Sequence, residues 1–285
     1  MISGAPGSPT PLWTDLAIVI VSYNVREDLG RALESLHAAP PAASHHVVVV
    51  DNASSDGSLA FVRARWPSVQ AIDAGANLGF SRANNIGIRA TASEFVLLLN
   101  GDTVVPAGAI DRLVADLRAH PEAAIAGPRL VDAAGRPEIS VGHLIGPLNE
   151  LRQKLVGRLY ERGWGPVRRQ VERSLSVARE VDWVSGACLL VRRTEAEAVG
   201  LLDERFFLYM EDVDFCASVR ARGRRVRFVP SVEVQHLRGR SRSHDPAATN
   251  LAYRRSHLAF YAKHHPGWER VLRWYLELRG QLPDA

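Results

Sequence analysis

The sequence has little cysteine and no long hydrophobic run. Cys188 and Cys216 are its two cysteines, each among apolar neighbours and without metal-ligand spacing. This pattern predicts buried thiols in a reducing compartment rather than a disulfide framework. No window reaches the roughly 18 consecutive apolar residues of a membrane span, and no early segment has the basic and apolar regions of a signal peptide. We therefore predict a cytoplasmic protein, either soluble or peripheral on the inner face of the cytoplasmic membrane.

Lysine is scarce as well. Lys154 and Lys263 are the two lysines among 35 basic residues, and the other 33 are arginine. A GC-rich genome explains this bias, and a preference for bidentate phosphate contacts is the alternative. The formal charge is −2 over residues 1–100, +1 over 101–200 and +5 over 201–285. The basic C-terminal end suits an anionic substrate or membrane surface, and we predict no nucleic-acid partner.

Apolar runs alternate with helical stretches over the N-terminal third of the chain. Three of the four runs are nearly continuous, as expected for strands covered on both faces. The alternation predicts an α/β fold with a mainly parallel central sheet and helices on both faces. The runs are residues 16–21, 46–51, 69–73 and 94–99, and the helical stretches are 27–38, 58–66 and 81–90.

The remaining chain is less regular. Residues 140–180 have poor periodicity, and they are interpreted as a lid, an acceptor-binding element or a surface excursion. The other predicted elements are a helix opened by Pro106, a strand at 123–131, a strand at 181–191 with a Ser-Gly break, a helix at 194–200, an acidic helix from 211, two strand pieces around Pro230, and two helices between 249 and 280.

Polar residues follow the predicted strands and are candidates for ligand binding. Asp51 could accept hydrogen bonds from a nucleobase or ribose, or it could belong to a turn in which Ser55 or Asp56 caps the next helix. Asn100 and Asp102 have the i, i+2 spacing of oxygen ligands for Mg²⁺ or Mn²⁺. Gly101 between them would let the backbone approach a phosphate, although a simple turn would use the same residues.

Two further clusters lie in the C-terminal half. Glu211, Asp212 and Asp214 follow an aromatic loop at a helix N-terminus, where a carboxylate could act as a general base or only complement the helix dipole. His236 ends a strand, and the next residues include Arg238, Arg240 and Arg242, which could grip a diphosphate. A structural role is the alternative for this histidine.

In this order the motifs resemble the family 2 glycosyltransferases of GT-A fold, and in particular their bacterial rhamnosyltransferase-like branch. The resemblance covers about residues 16–260. The motifs that carry it are residues 21–24 (Val-Ser-Tyr-Asn), 51–58, 77–87, 98–103, 183–188, 203–215 and His236.

The resemblance implies a role for each matching residue. Asp51 would contact the nucleoside of a sugar nucleotide, and Asp102 would be the carboxylate of the metal-binding DxD-type motif. Asn100 replaces the first aspartate of that motif, and Gly101 replaces the proline common in this branch. His236 would help to hold the metal, a divalent cation (Mg²⁺ or Mn²⁺). Asp212, with Glu211 beside it, would be the base of an inverting displacement. The other predicted nucleotide-sugar contacts are Ser22, Tyr23, Asn24, Asn77, Arg82, Asn84, Asn100, Gly101 and Arg240.

The implied activity is sugar transfer from a nucleoside-diphosphate sugar to a hydroxyl of a glycan or polyprenyl-linked saccharide in cell-surface polysaccharide assembly. Rhamnose from dTDP-rhamnose is the family expectation. The alternatives are a UDP- or GDP-hexose donor and a non-catalytic sugar-nucleotide-binding module. A Rossmann dehydrogenase is disfavoured because no GxGxxG motif follows the first strand.

The predicted domain organisation has three parts. Residues 1–12 form a disordered leader and 13–265 a GT-A domain, with a nucleotide-binding half at 13–105 and an acceptor and catalytic half at 106–265. Residues 266–285 form a helical tail. The tail is aromatic and basic, so it either lies on an anionic membrane or packs on the core or on a partner subunit of a homodimer.

Overall fold

A computed structural model of the chain describes residues 13–237 and 246–283. A nine-stranded sheet forms its centre, in the order β3-β2-β1-β4-β10-β6-β11-β5 with β8 paired to β11, and β7 and β9 form a separate two-stranded sheet. The strands are β1 Trp13–Ser22, β2 His45–Asp51, β3 Gln70–Asp73, β4 Ala92–Asn100, β5 Thr103–Val104, β6 Ala123–Val131, β7 Val141–Gly142, β8 Arg179–Val181, β9 Trp183–Val184, β10 Cys188–Arg192 and β11 Arg225–His236.

Ten helices connect and cover these strands in the described ranges. They are α1 Arg26–Ala38, α2 Ser58–Arg65, α3 Gly79–Arg89, α4 Ala109–Ala119, α5 Pro147–Glu161, α6 Gly165–Ser174, α7 Arg193–Ala198, α8 Glu211–Ala221, α9 Pro246–His264 and α10 Pro266–Leu278. No helix within residues 13–237 or 246–283 combines the length and the apolar character that crossing a membrane requires.

The parallel strands β3, β2, β1 and β4 form the half of the sheet that the N-terminal third of the sequence predicts. Their central residues are fully buried because helices cover both faces, which explains the continuous apolar runs. Helix α3 lies close to β1, where a Cβ added at Gly87 would approach Val19 Cγ1 to 2.4 Å. The register places Ser22 opposite Asp51 and Val21 opposite Asn100, so the three polar strand ends share one edge.

Several predicted elements differ from the observed ones. The segment 181–191, expected to be one strand with a Ser-Gly break, contains the end of β8, the strand β9 and most of β10. The turn at 185–187 separates β9 from β10, and β10 runs antiparallel between β4 and β6. The helix expected to open at Pro106 begins at Ala109, whose N–H donates to Pro106 O at 3.1 Å. The two strand pieces around Pro230 form the single strand β11, with a bulge where proline lacks an N–H group. Residues 140–180 contain α5 and α6.

Ion pairs and hydrogen bonds attach helix α9 to α8 and α5. Asp214 of α8 is 1% exposed and accepts from Lys263 Nζ at 2.8 Å and from His264 Nε2 at 2.6 Å. Glu150 of α5 accepts from the Tyr261 hydroxyl at 2.7 Å. Burial opposes the charge of Glu150, but hydrogen bonds to His257 and its neighbours outweigh this effect and lower its pKa to about 2. These contacts attach α5 and α8 to the C-terminal helices. The predicted domain boundaries remain predictions.

Candidate active site

The nucleotide side of the site lies at the carboxyl ends of β1 and β2. Asp51 and Ser22 are buried there, and Asp51 Oδ2 accepts from the Ser54 N–H at 3.0 Å. Within the described residues, Asp51 Oδ1 and Ser22 Oγ are buried without a hydrogen-bond partner. Buried polar atoms are normally paired, so this edge retains hydrogen-bonding capacity that a ligand could use.

Two loops form one wall beside Asp51. Asn24 has a positive φ of 54°, its N–H donates to Ser54 Oγ at 3.0 Å, and its Oδ1 accepts from the Ser55 N–H at 2.8 Å. Asp56 accepts from the N–H of Ser58 at 3.0 Å at the start of α2, whose N-cap position is occupied by Gly57. Tyr23 is 39% exposed at the rim. The sequence motifs at 22–24 and 51–58 are therefore adjacent.

The side chains predicted to contact the nucleotide from the 77–87 motif differ in their present hydrogen bonds. Asn84 is buried and uses its amide N–H to reach Phe80 O at 2.9 Å, whereas its Oδ1 has no partner among the described residues. Asn77 Oδ1 accepts from Asn52 Nδ2 at 2.8 Å. Arg82 donates to Glu204 Oε2 at 3.0 Å. A nucleotide contact by Asn77 or Arg82 remains a prediction, because both side chains are engaged by protein groups.

Gly79 joins the α3 motif to the aromatic loop before α8. Its φ is +81°, and an added Cβ would lie 2.4 Å from Phe207 O. The N–H of Phe80 donates to that same carbonyl at 2.7 Å. Only glycine combines this backbone conformation with so close an approach. The motif at 77–87 therefore positions the segment that leads into the acidic helix.

Asn100, Asp102 and His236 meet at the other side of the edge. The pairing of β5 with β11 places His236 opposite Thr103. His236 Nε2 lies 3.3 Å from Asp102 Oδ1 and 3.5 Å from Asn100 Nδ2, and the imidazole and carboxylate side chains are 12% and 10% exposed. His236 is thus brought into one buried group with Asn100 and Asp102, from which more than 130 positions separate it.

Glu138 is a fourth member of this group and was not anticipated from the sequence. Its Oε2 lies 3.2 Å from His236 Nδ1, and the residue is 7% exposed. Burial acts to lower the pKa of His236, but hydrogen bonds with Asp102 and Glu138 outweigh it and raise that pKa to about 9. Glu138 follows a turn rather than a recognisable motif, so no sequence signal indicates its partner.

The donor set is compatible with a divalent cation held partly by substrate. Within residues 13–237 and 246–283 no group of three or more histidine, cysteine or acidic residues has metal-holding geometry. Mg²⁺ commonly takes only one or two protein carboxylates and completes its shell with phosphate and water oxygens. Asp102 and His236 fit such a partial site. A Cβ at Gly101 would face Val21 O and Val25 at 3.4 Å, on the core side, so its predicted role toward phosphate remains a prediction.

Hydrogen bonds connect Asp212 to the strand end that carries Asn100. Its Oδ2 accepts from the Gly186 N–H at 2.9 Å, and the neighbouring Ala187 O accepts from the Asn100 N–H at 3.0 Å. Two consecutive backbone residues therefore link the acidic helix to the end of β4. Burial raises the pKa of Asp212. A carboxylate with a raised pKa is suited to proton transfer near neutral pH.

Glu211 and Asp214 differ from Asp212 in their surroundings. Glu211 is 6% exposed, and its Oε2 has no hydrogen-bond partner within the described part of the chain. Burial, together with the charge of Asp212, raises the pKa of Glu211 well above its ordinary value. Asp214 is committed to Lys263 and His264. Arg240, predicted to bind the diphosphate, and the segment 238–245 around it lie outside the described residues.

Comparisons with known proteins identify relatives of this chain. A family model described as "Glycosyltransferase like family 2" matches residues 14–263. N-acetylglucosaminyl-diphospho-decaprenol L-rhamnosyltransferase of Mycobacterium tuberculosis is 35% identical over 280 residues, covering 94% of this chain and 90% of its own. Low-salt glycan biosynthesis hexosyltransferase Agl10 of Haloferax volcanii is 30% identical over 213 residues, covering 72% of this chain and 62% of its own.

Among solved structures, a mannosyltransferase of Pyrobaculum calidifontis in complex with GDP-Man and Mn²⁺ is similar with a TM-score of 0.61 and 17% identity. The match covers 94% of this chain and 71% of the other. This structural likeness confirms the predicted GT-A fold.

Proposed function

Because the chain belongs to glycosyltransferase family 2, we propose that it transfers L-rhamnose from dTDP-rhamnose to a polyprenyl-diphosphate-linked N-acetylglucosamine. The relative at 35% identity, whose name states this acceptor and this sugar, supports the choice of substrates. The observation that supports the catalytic proposal is the backbone link through Gly186 and Ala187, which joins Asp212 to Asn100 at the end of β4.

In the proposed reaction Asp212 accepts the proton of the acceptor hydroxyl as that oxygen attacks the anomeric carbon. The bond from this carbon to the nucleoside diphosphate breaks on the opposite face, so the configuration is inverted. Asp102 and His236 would hold the divalent cation, which when bound stabilises the negative charge that develops on the leaving diphosphate. Asp51 and Ser22 would hold the nucleoside through their unpaired oxygen atoms. Metal dependence and inversion are both part of the proposal.

The test is a transfer assay with the purified full chain and a polyprenyl-diphosphate N-acetylglucosamine acceptor. We expect labelled rhamnose from dTDP-rhamnose to appear in the lipid extract, and we expect EDTA to abolish its transfer. Equal or better transfer from a UDP- or GDP-hexose would overturn the donor assignment and leave the family activity intact. Nucleotide binding without transfer from any of these donors would support the binding-module alternative.

We further propose that α10 and α5 rest on the anionic bilayer that holds the lipid-linked acceptor. Their N-termini meet, because His265 Nε2 lies 2.7 Å from Ile145 O. Both helices expose apolar side chains, and the surrounding charge is positive: residues 147–174 include seven basic and three acidic residues, and 246–279 include six and two. Basic amphipathic helices of this kind bind anionic interfaces. The exposed residues are Leu148, Leu151, Leu155, Trp268, Val271, Trp274, Tyr275 and Leu278.

Co-sedimentation with phosphatidylglycerol vesicles checks this contact. The double variant Trp268→Ser/Trp274→Ser is expected to bind vesicles at least tenfold more weakly, since removing two buried indoles costs more than about 1.4 kcal/mol, which corresponds to a factor of ten in affinity. Transfer to a short-chain, water-soluble acceptor should be unaffected. The membrane proposal fails if the unaltered protein does not bind anionic vesicles. It also fails if the double substitution converts a dimer into a monomer in ultracentrifugation, because the surface is then a subunit interface.

A further inference from the structure

Backbone hydrogen bonds determine where Glu138 lies. The turn from Asp132 to Gly135 reverses the chain after β6, with the Asp132 N–H donating to Arg136 O at 2.9 Å. A bridge then pairs Val131 with Pro137, and the Glu138 N–H donates to Leu130 O at 2.9 Å. Because β11 is paired with β6 through this region, the returning segment carries Glu138 to the side of His236.

The imidazole of His236 therefore lies between two buried carboxylates. Glu138 Oε2 is 3.2 Å from Nδ1, and Asp102 Oδ1 is 3.3 Å from Nε2. With Nδ1–H donated to Glu138, a cation that takes the place of the proton on Nε2 would meet a lone pair directed toward Asp102 and Asn100. In metal sites a ligating histidine almost always donates its other ring N–H to a carboxylate, carbonyl or water, which fixes both tautomer and orientation.

We propose that Glu138 is a positioning residue that fixes the His236 tautomer and aims Nε2 at a divalent cation shared with Asp102. This inference rests on the proposed function, since the cation is the one that accompanies the nucleoside diphosphate. It assigns a role to a residue outside every motif that carries the family resemblance. Glu138 itself makes no contact with the donor or acceptor in this role.

The proposal differs measurably from a purely structural role. A buried carboxylate that only stabilised the fold would lower the unfolding temperature when removed but leave metal affinity unchanged in the folded protein. A positioning carboxylate should change metal affinity, because loss of such a partner typically costs 10–100-fold. Gln retains an acceptor oxygen for Nδ1–H but lacks the charge, so it should restore much of the affinity lost in the Ala variant.

The experiment is calorimetric titration of Mn²⁺ into the full chain saturated with dTDP. We expect the Mn²⁺ Kd of Glu138→Ala to rise about 10–100-fold. That of Glu138→Gln should rise measurably, because the charge is lost, but by less than about tenfold. Glu233→Gln is the matched control, because Glu233 lies on the same strand as His236 but its side chain is 53% exposed. Its Kd should equal that of the unaltered protein.

Thermal unfolding of each variant accompanies the titration. If Glu138→Ala does not fold, Glu138→Gln decides by itself, and a Kd within measurement error of the unaltered protein overturns the proposal. A folded Glu138→Ala with an unchanged Kd overturns it equally. If the unaltered protein binds no Mn²⁺ in the presence of dTDP, the proposed metal site fails together with this inference. If the unaltered protein binds Mn²⁺ and the Glu138 variants bind it with the same Kd, only the proposed role of Glu138 is overturned.

Discussion

Replacing Asp212 by asparagine is expected to lower kcat about 10³-fold while leaving nucleotide affinity unchanged. General-base catalysis by a positioned side chain contributes about 10²–10⁴-fold, and asparagine cannot accept the acceptor's proton. Its amide oxygen can still accept the Gly186 N–H that Asp212 Oδ2 accepts at 2.9 Å. The local fold should therefore persist, and the loss should appear in the chemical step. Rhamnosyl transfer under saturating donor and acceptor gives the measurement.

The pH dependence of the unaltered enzyme tests the same assignment. Burial raises the pKa of Asp212, so the ionised form that serves as base is lost at a higher pH than for an ordinary aspartate. The acid limb of kcat/KM should consequently lie above pH 4, the usual range of aspartate, and activity should fall as the pH drops through it. An acid limb at or below the ordinary aspartate value would contradict the predicted environment of the base.

Two variants provide the comparison for Asp212→Asn. Asp111→Asn is the matched control, because Asp111 also lies in the first turn of a helix, α4, and also accepts a backbone N–H, that of Ala42 at 2.9 Å. We expect this variant to have normal activity. Glu211→Gln should lose less activity than Asp212→Asn, because burial raises the pKa of Glu211 and favours the neutral form that glutamine imitates. A larger loss in Glu211→Gln would make Glu211 the base instead.

Replacing Asp102 by asparagine is expected to remove metal-dependent nucleotide binding and to lower kcat/KM by about 10²–10³-fold. The change deletes the carboxylate charge that faces His236 Nε2 at 3.3 Å. Metal stabilisation of a developing charge is worth several kcal/mol, and each 1.36 kcal/mol corresponds to a factor of ten in rate. The size of the loss follows from these two values.

The measurement is calorimetric binding of dTDP, UDP and GDP with Mn²⁺, with Mg²⁺ and with EDTA. In the unaltered protein we expect selective, metal-dependent binding of dTDP, whereas in Asp102→Asn the affinity with Mn²⁺ should fall to the value with EDTA. Asp15→Asn makes the same exchange at the amino end of β1, where Asp15 contacts Ser44, and should bind normally. Equal dTDP affinity with EDTA and with Mn²⁺ in the unaltered protein would show that metal is not needed for binding.

The local sequence pattern was sufficient to predict the parallel half of the sheet and the position of its polar strand ends. Continuous apolar runs follow from burial on both faces. The carboxyl ends of parallel strands share one edge, so Asp51 and Asn100 could be placed together without coordinates. Pattern was insufficient to place residues 140–180, because the apolar side chains Leu148, Leu151 and Leu155 of α5 are exposed instead of packing on the core.

The sequence by itself determined the family, the fold class and the residue types at the ends of the strands, because short-range periodicity and local motifs encode them. Only the tertiary structure decided which of these residues meet. Asp212 is linked to Asn100 through Gly186 and Ala187, because β10 runs antiparallel beside β4. Arg82 pairs with Glu204, and Glu138 reaches His236 across 98 positions because β11 pairs with β6. These contacts depend on pairings between segments distant in the chain, which no local pattern specifies.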